Sequence, residues 1–362
     1  MPGGGDGGGD GGGEGPDGVH GAGRLNGIGV AAVEARLDAA ATRLGAELGA
    51  DGPACLAERR RLLGIAPAGR VSAGGSCRLV EADDGWFALN LARPDDREAV
   101  PAWMGREWTG PLWDGVADAA AERSVADAVD RAQLLGIPAA VAVAPEDHLG
   151  PAVEVVAGAD GRAPDARPLV VDLSALWAGP LCARLVGAAL DARVVKVEDV
   201  ARPDGARRGP PAFWRALNAH KEERHVDLAT ATGRAELADL LARARVVVSA
   251  ARPRALAGLG LDPEAHAARG VVWVSITGYG RAGLHADWVA FGDDAAVAGG
   301  VAVAAGGPDA PVFAGDAVAD PLAGLAGAVV ATRLVRAGRA GVVDVAMAGV
   351  VNRALRADSA LG

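Results

Sequence analysis

Apolar runs of strand length recur through residues 169–347 with helix-length stretches between them. They are LVVDL (169–173), ARVVKV (192–197), RVVVSA (245–250), VVWVSI (271–276) and VVDVAM (342–347). Runs this continuous cannot offer one face to water, so they fit strands covered on both sides. Helical patterns near 180–190, 231–243, 253–268 and 319–337 supply the covers, and strands alternating with helices indicate a parallel sheet. The expected fold class is therefore α/β: a doubly wound, Rossmann-like parallel sheet with a second, smaller α+β domain.

Upstream the pattern changes. Val30, Val33, Leu37, Ala41, Leu44 and Leu48 repeat at helical spacing, and residues 28–63 read as helix. CRLVEA and WFALNLA flank Asp83-Asp84-Gly85, a hairpin signal. Helical patterns follow around 96–104 and 116–134, and Gly136-Ile137-Pro138 leads into the apolar AAVAVA. The sequence divides into a disordered Gly/acidic tail (1–24), a small α+β domain (25–150), a linker (151–168) and the large domain (169–362). The glycines of the tail lack a preceding strand and a following Gly-Lys-Ser/Thr, so they are not read as a phosphate loop.

Charge excludes one class of partner. The 46 acidic residues outnumber the 36 basic ones, for a net charge of −10, whereas neutralising nucleic-acid phosphates needs a basic surplus. Cys55, Cys77 and Cys182 lie far apart without a C-x-x-C pair, which argues against a disulfide framework or a zinc site. No metal, no nucleic acid and no membrane span are expected, and a cytoplasmic location follows from the cysteine usage and the absence of a basic-apolar leader.

The turn after the first large-domain strand, Ser174-Ala175-Leu176-Trp177-Ala178-Gly179-Pro180, lacks the G-x-G-x-x-G that close approach to a dinucleotide pyrophosphate requires. Asp320, directly ahead of Pro321, reads locally as a helix N-cap. Trp177 reads either as a core residue or as the wall of a pocket. Asp293-Asp294 reads as a solvated helix start or as part of a binding site.

Several pieces in order resemble the class III coenzyme A transferases, the family of formyl-CoA and carnitine CoA transferases and α-methylacyl-CoA racemase. They are VVDLSALWAGPLCARLVGAALDARVVKVE (170–198), LNAHKEERHVDLATATGRAELADLLARARVVVSAARPRALAGLGL (217–261), VVWVSITGYGRAG (271–283), ADPLAGLAGAVVATRL (319–334) and VVDVAM. RVSAGGSCRLVEADDGWFALNLARPDDREAVPAW (70–103) and RAQLLGIPAAVAVAPE (131–146) are similar to the family's small domain, which here precedes the large one, as in a circular permutation.

The resemblance implies an acyl-CoA:carboxylate CoA transferase with acyl-CoA and a carboxylic acid as partners, coenzyme A carried as the acyl-CoA substrate, and a homodimer. It implies that Asp320, in a D-x-x-x-G pattern ending at Gly324, is a covalent nucleophile, with Asp316 as runner-up. It implies roles in holding the coenzyme for Arg252, Lys221, Gly179 and Pro180. Ser72-Ala73-Gly74-Gly75-Ser76 is the candidate for the family's glycine loop, with an ordinary linker as the other reading. The racemase branch uses a histidine near Phe291-Gly292-Asp293-Asp294, where this chain has aspartates and His285 falls too early. A non-catalytic CoA-binding homologue is the alternative, and racemisation a third.

Overall fold

The structure, a computed structural model, describes residues 27–145, 151–162 and 167–356. The expected tail lies outside the described residues. The architecture is α/β, with a large, mostly parallel sheet and a small antiparallel one.

The chain opens with helices α1 (Val30–Leu48) and α2 (Gly52–Leu63). The single helix expected over 28–63 is broken at Gly49, which is left-handed, and at Asp51, whose side chain caps α2 through the Ala54 amide at 2.9 Å. The hairpin follows as β1 (Cys77–Ala82) and β2 (Gly85–Asn90), and β3 (Ala139–Val141) pairs on its far side. Between them run α3 (Pro94–Glu98), α4 (Val100–Met104), α5 (Leu112–Ala120) and α6 (Val125–Leu134). Phe87, Leu89, Trp103, Val116 and Val129 close the core between this sheet and its helices. The opposite face, through Leu79, Trp86 and Ala88, packs on Val297, Ala302 and Phe313 of the large unit.

The large unit starts with β4 (Val153–Asp160), β5 (Leu169–Asp172), α7 (Ala178–Ala189), β6 (Arg193–Asp199), α8 (Pro211–Asn218) and β7 (Glu222–Val226). It continues with α9 (Ala231–Arg243), β8 (Val246–Ser249), α10 (Pro253–Gly258), α11 (Pro263–Ala267) and β9 (Val272–Thr277). It ends with α12 (Gly292–Ala298), α13 (Val301–Gly306), α14 (Ala319–Arg336), β10 (Arg339–Ala346) and α15 (Met347–Leu355). Strand order is β4-β10-β9-β8-β5-β6-β7, with β4 antiparallel on β10 and every other pair parallel. The order reverses at β5, so the switch point lies between the carboxyl ends of β5 and β8. Successive strand residues face opposite ways: Val170, Val246, Val274 and Val345 pack under α7 and α14, while Val171, Val195, Val247 and Trp273 pack under α9 to α11.

Two segments depart from the expected division. The 151–168 stretch, read as a linker, contributes β4 to the sheet edge. Helices α1 and α2, grouped with the small domain from sequence, bury Val33, Leu37, Leu44 and Leu56 in the same core as α7 and α14. Among the described residues no helix is long and apolar enough to cross a membrane.

Candidate active site

Asp320 is the second residue of α14, and it does not cap that helix. The cap position is Val318, which makes no side-chain bond. The Asp320 carboxylate turns instead to the amino end of α7, where the Ala178 amide donates to it. Helix α14 reaches α7 this closely because Gly324 has no side chain; a β-carbon there would stand 2.7 Å from the Ala178 carbonyl oxygen. A β-carbon on Gly292, the first residue of α12, would stand 2.2 Å from Asp320 Oδ2. The carboxylate thus occupies a seat between two helix starts, where peptide dipoles favour negative charge.

Further charged side chains gather there. Arg59 of α2 ion-pairs with Asp316 at 3.2 Å and lies over the Trp177 ring at 5.6 Å. Asp316 is fully buried, and neither of its oxygens accepts a hydrogen bond among the described residues. Asp293 accepts from the Ala317 amide at 3.0 Å and from Ser72. Ala317 has a φ of 43°, which bends the chain so that its amide meets Asp293 just before α14 begins.

Burial dominates the ionisation of these groups. It raises Asp320 to about 7, with Asp293 and Asp316 adding to the shift and Arg59 opposing it. It raises Asp316 to about 6 and raises Asp293 as well, again against Arg59. Asp320 keeps part of its surface accessible, while Asp293 and Asp316 are buried. A carboxylate that ionises near neutrality is more basic, and so more nucleophilic once charged, than a solvated aspartate.

The other expected site residues fall in two places. Lys221 is buried, and its Nζ donates to Asp172 (2.9 Å), Asn218 (2.9 Å) and the Pro180 carbonyl (2.8 Å). All three of its donors are used within the protein. Burial pushes Asp172 upward, but Lys221 and Lys196 outweigh it and hold the carboxyl below its usual range. Gly179 lets α7 settle on Ser174, since a β-carbon would fall 2.2 Å from the serine side chain. Gly179, Pro180 and Lys221 thus belong to one buried joint between β5, α7 and the loop after α8. Arg252 lies past the end of β8, donates to the Asp287 carbonyl at 2.9 Å, and lines an open groove with Arg254 and Trp288.

Asp293 and Asp294, one reading of which was a solvated helix start, do begin α12 but are buried. Asp294 accepts from Asn90 at 2.9 Å and from the Phe291 amide, and burial raises it to about 8. The Ser72–Ser76 segment reaches the site: Ser72 meets Asp293, and a β-carbon on Gly74 would lie 2.7 Å from Arg59 Nη2. Arg59 was invisible from sequence, because Glu58-Arg59-Arg60-Arg61 has the look of a solvated helix face.

A family model described as CoA-transferase family III matches residues 168–360. Among characterised proteins, the succinyl-CoA–D-citramalate CoA-transferase of Chloroflexus aurantiacus is 32% identical over 197 residues, 49% of this chain and 49% of that protein. The succinate–glutarate CoA-transferase of Agrobacterium fabrum is 32% identical over 172 residues, 43% of each. A crystal structure of a CAIB/BAIF family protein from Brucella suis superposes with a TM-score of 0.46 at 29% identity, over 52% of this chain and 54% of that one. The chain spans about half the length of the curated relatives it matches.

Proposed function

Because the chain belongs to CoA-transferase family III, we propose that it moves coenzyme A from an acyl-CoA thioester to a carboxylic acid, with Asp320 as the covalent nucleophile. The observation that carries this reading is the seat of Asp320, a half-buried residue whose carboxylate lies between the amino ends of α7 and α12, near one arginine.

In the first step a carboxylate oxygen of Asp320 attacks the thioester carbonyl. The C–S bond breaks, leaving a mixed anhydride and the CoA thiolate. The thiolate then attacks the aspartyl carbonyl and expels the first acid, giving an aspartyl-CoA thioester. The incoming acid attacks that thioester to form a new anhydride, and the thiolate closes the cycle on its acyl carbon, freeing Asp320. Each step splits one difficult exchange into acyl transfers between similar groups. The Ala178 amide holds the aspartate in place, and Arg59, paired with the neighbouring Asp316, adds positive charge that offsets charge building during attack.

For the coenzyme we assign the carboxyl edge of the sheet. A cavity of about 180 Å3 lies at the switch point, lined by Ser174, Val197, Ser249 and Leu256. Ligands of open α/β sheets enter at this position. Arg252 is the phosphate contact in this reading, and Gly179 and Pro180 shape the turn beside the coenzyme. Lys221 supports the joint behind them rather than a phosphate, since its donors are taken.

The deciding experiment is incubation of the protein with a panel of acyl-CoA donors, followed by hydroxylamine and mass spectrometry. A hydroxamate at Asp320, absent from Asp320→Ala, is the expected result. Coenzyme binding without any adduct would instead favour a second reading, a non-catalytic CoA-binding homologue. The match to only half of each relative's length motivates that alternative.

A further inference from the structure

Arg70 and Arg78 are set apart from other cations of this molecule. Arg184, Arg207, Arg281 and Arg333 each hold a carboxylate at 2.9 Å or closer. Neither Arg70 nor Arg78 has a side-chain hydrogen bond or ion pair among the described residues, and Arg78 Nε is buried without an acceptor. In a chain of net charge −10, two arginines on one groove that pair with no carboxylate stand out.

Each lies on a tryptophan instead. Arg70 Cζ is 4.1 Å from the Trp86 ring centroid, and Arg78 Cζ is 4.6 Å from that of Trp113. Stacking uses the face of a guanidinium, fixes its plane and leaves the N–H groups along its edge free. Both arginines line one open groove of about 560 Å3 along β1, the edge strand of the small sheet. The backbone brings them together: Val71 bridges to Arg78, and the Leu79 amide donates to the Arg70 carbonyl at 3.0 Å.

We propose that this groove is an anion site that takes a phosphate ester or diphosphate between Arg70 and Arg78. A guanidinium fork matches the negative charge and multiple acceptors of a phosphoryl group, and the groove offers two of them, stacked on rings at opposite faces of the β1 edge. Glu81 and Asp83 stand on the same groove, exposed and unpaired with either arginine. They limit the ligand to a compact anion, because a long polyanion would meet them.

The site has a route to the carboxylate cluster. Between the two arginines the chain passes through Ser72, which donates to Asp293, and Gly74, which lies against Arg59. An anion that fixes both arginines therefore also fixes the loop beside Asp320. That consequence rests on the role proposed for Asp320; the binding itself does not.

The test is titration of the full chain with sodium pyrophosphate at low salt, followed by calorimetry and by the fluorescence of the stacked tryptophans. Saturable binding is expected, weakened about tenfold or more by Arg70→Ala or by Arg78→Ala and lost when both are replaced. Arg70 is exposed, so Arg70→Ala keeps the fold, which thermal melting verifies, and Arg78→Lys should retain only part of the affinity. Competition identifies the source. Displacement of pyrophosphate by CoA but not by dephospho-CoA assigns the groove to the coenzyme's 3′-phosphate. Simultaneous binding of CoA and pyrophosphate assigns it to a separate phosphorylated ligand. No saturable binding to the wild-type chain, or unchanged affinity in a folded Arg70→Ala/Arg78→Ala double variant, would overturn the proposal whatever the fate of the transferase reading.

Discussion

Gly292 and Asp320 exclude one another's growth: a β-carbon on the glycine would stand 2.2 Å from the aspartate's Oδ2 and 2.6 Å from the Ala317 carbonyl oxygen. Gly292→Ala must therefore push the carboxylate away from the Ala178 amide. Turnover is expected to fall about a hundredfold, as small misplacements of reacting groups do. Coenzyme affinity should stay near the wild-type value, since the displaced group is the nucleophile. Steady-state kinetics and CoA titration on the same preparation check both halves.

Asp320→Ala should lower exchange by at least about a thousandfold, the scale of a lost nucleophile. It should not lower the melting temperature, because it removes a carboxyl that burial holds partly protonated at neutral pH. Exchange at the wild-type rate in this variant would remove Asp320 from the mechanism.

The pH dependence has a definite direction. With Asp320 ionising at about 7, kcat/KM should rise about tenfold per pH unit below that value and level off above it. Arg59→Ala removes the cation that lowers the Asp320 pKa, so the inflection moves to higher pH. Asp316→Asn removes a charge that raises it, and the inflection moves lower.

Stability should run the opposite way. Asp316 and Asp320 have folded pKa values above those of the open chain, so the folded state binds more protons between about pH 4 and about pH 7. Their contribution thus declines as pH rises through that window. Asp316→Asn should raise the urea midpoint at about pH 8 more than at about pH 5; equal shifts would count against the raised pKa.

Lys221→Met should destabilise the fold by roughly 3–5 kcal/mol, because Asp172 would be left as a buried, unpaired charge. Asp172→Asn combined with Lys221→Met should recover part of the loss. Urea denaturation of the single and double variants measures the coupling, and a mainly CoA-binding defect in a fully stable Lys221→Met would contradict the structural role.

What was legible in the sequence follows from burial. Strands β5, β6, β8, β9 and β10 are buried on both faces, and their valine runs announce them. The two edge strands escaped notice. β7, Glu-Glu-Arg-His-Val, is mostly charged, which suits a sheet margin that must not recruit another chain. β4 has only half-exposed and exposed residues, in a stretch that reads as linker. At the site, Asp320, Asp316 and Asp293 stood out as carboxylates at a glycine-rich helix start. Arg59 could not, because nothing local marks a residue whose partner, Asp316, lies some 260 positions away, just before α14, whereas Ser72 was named only through the resemblance, as part of the glycine-loop candidate.

The packing of α1 against α14 and α15 also sets a schedule for the chain's birth. The ribosome releases Val33, Leu37 and Leu44 early and α2 follows at once, yet α14 and α15, which complete their cover, are translated only from residue 319 onward. Likewise β4 waits for β10. The nascent polypeptide therefore carries a helix covered on one side by α2 until α14 and α15 are made. Such non-local closure makes folding slow and gives holdase chaperones a defined segment to guard.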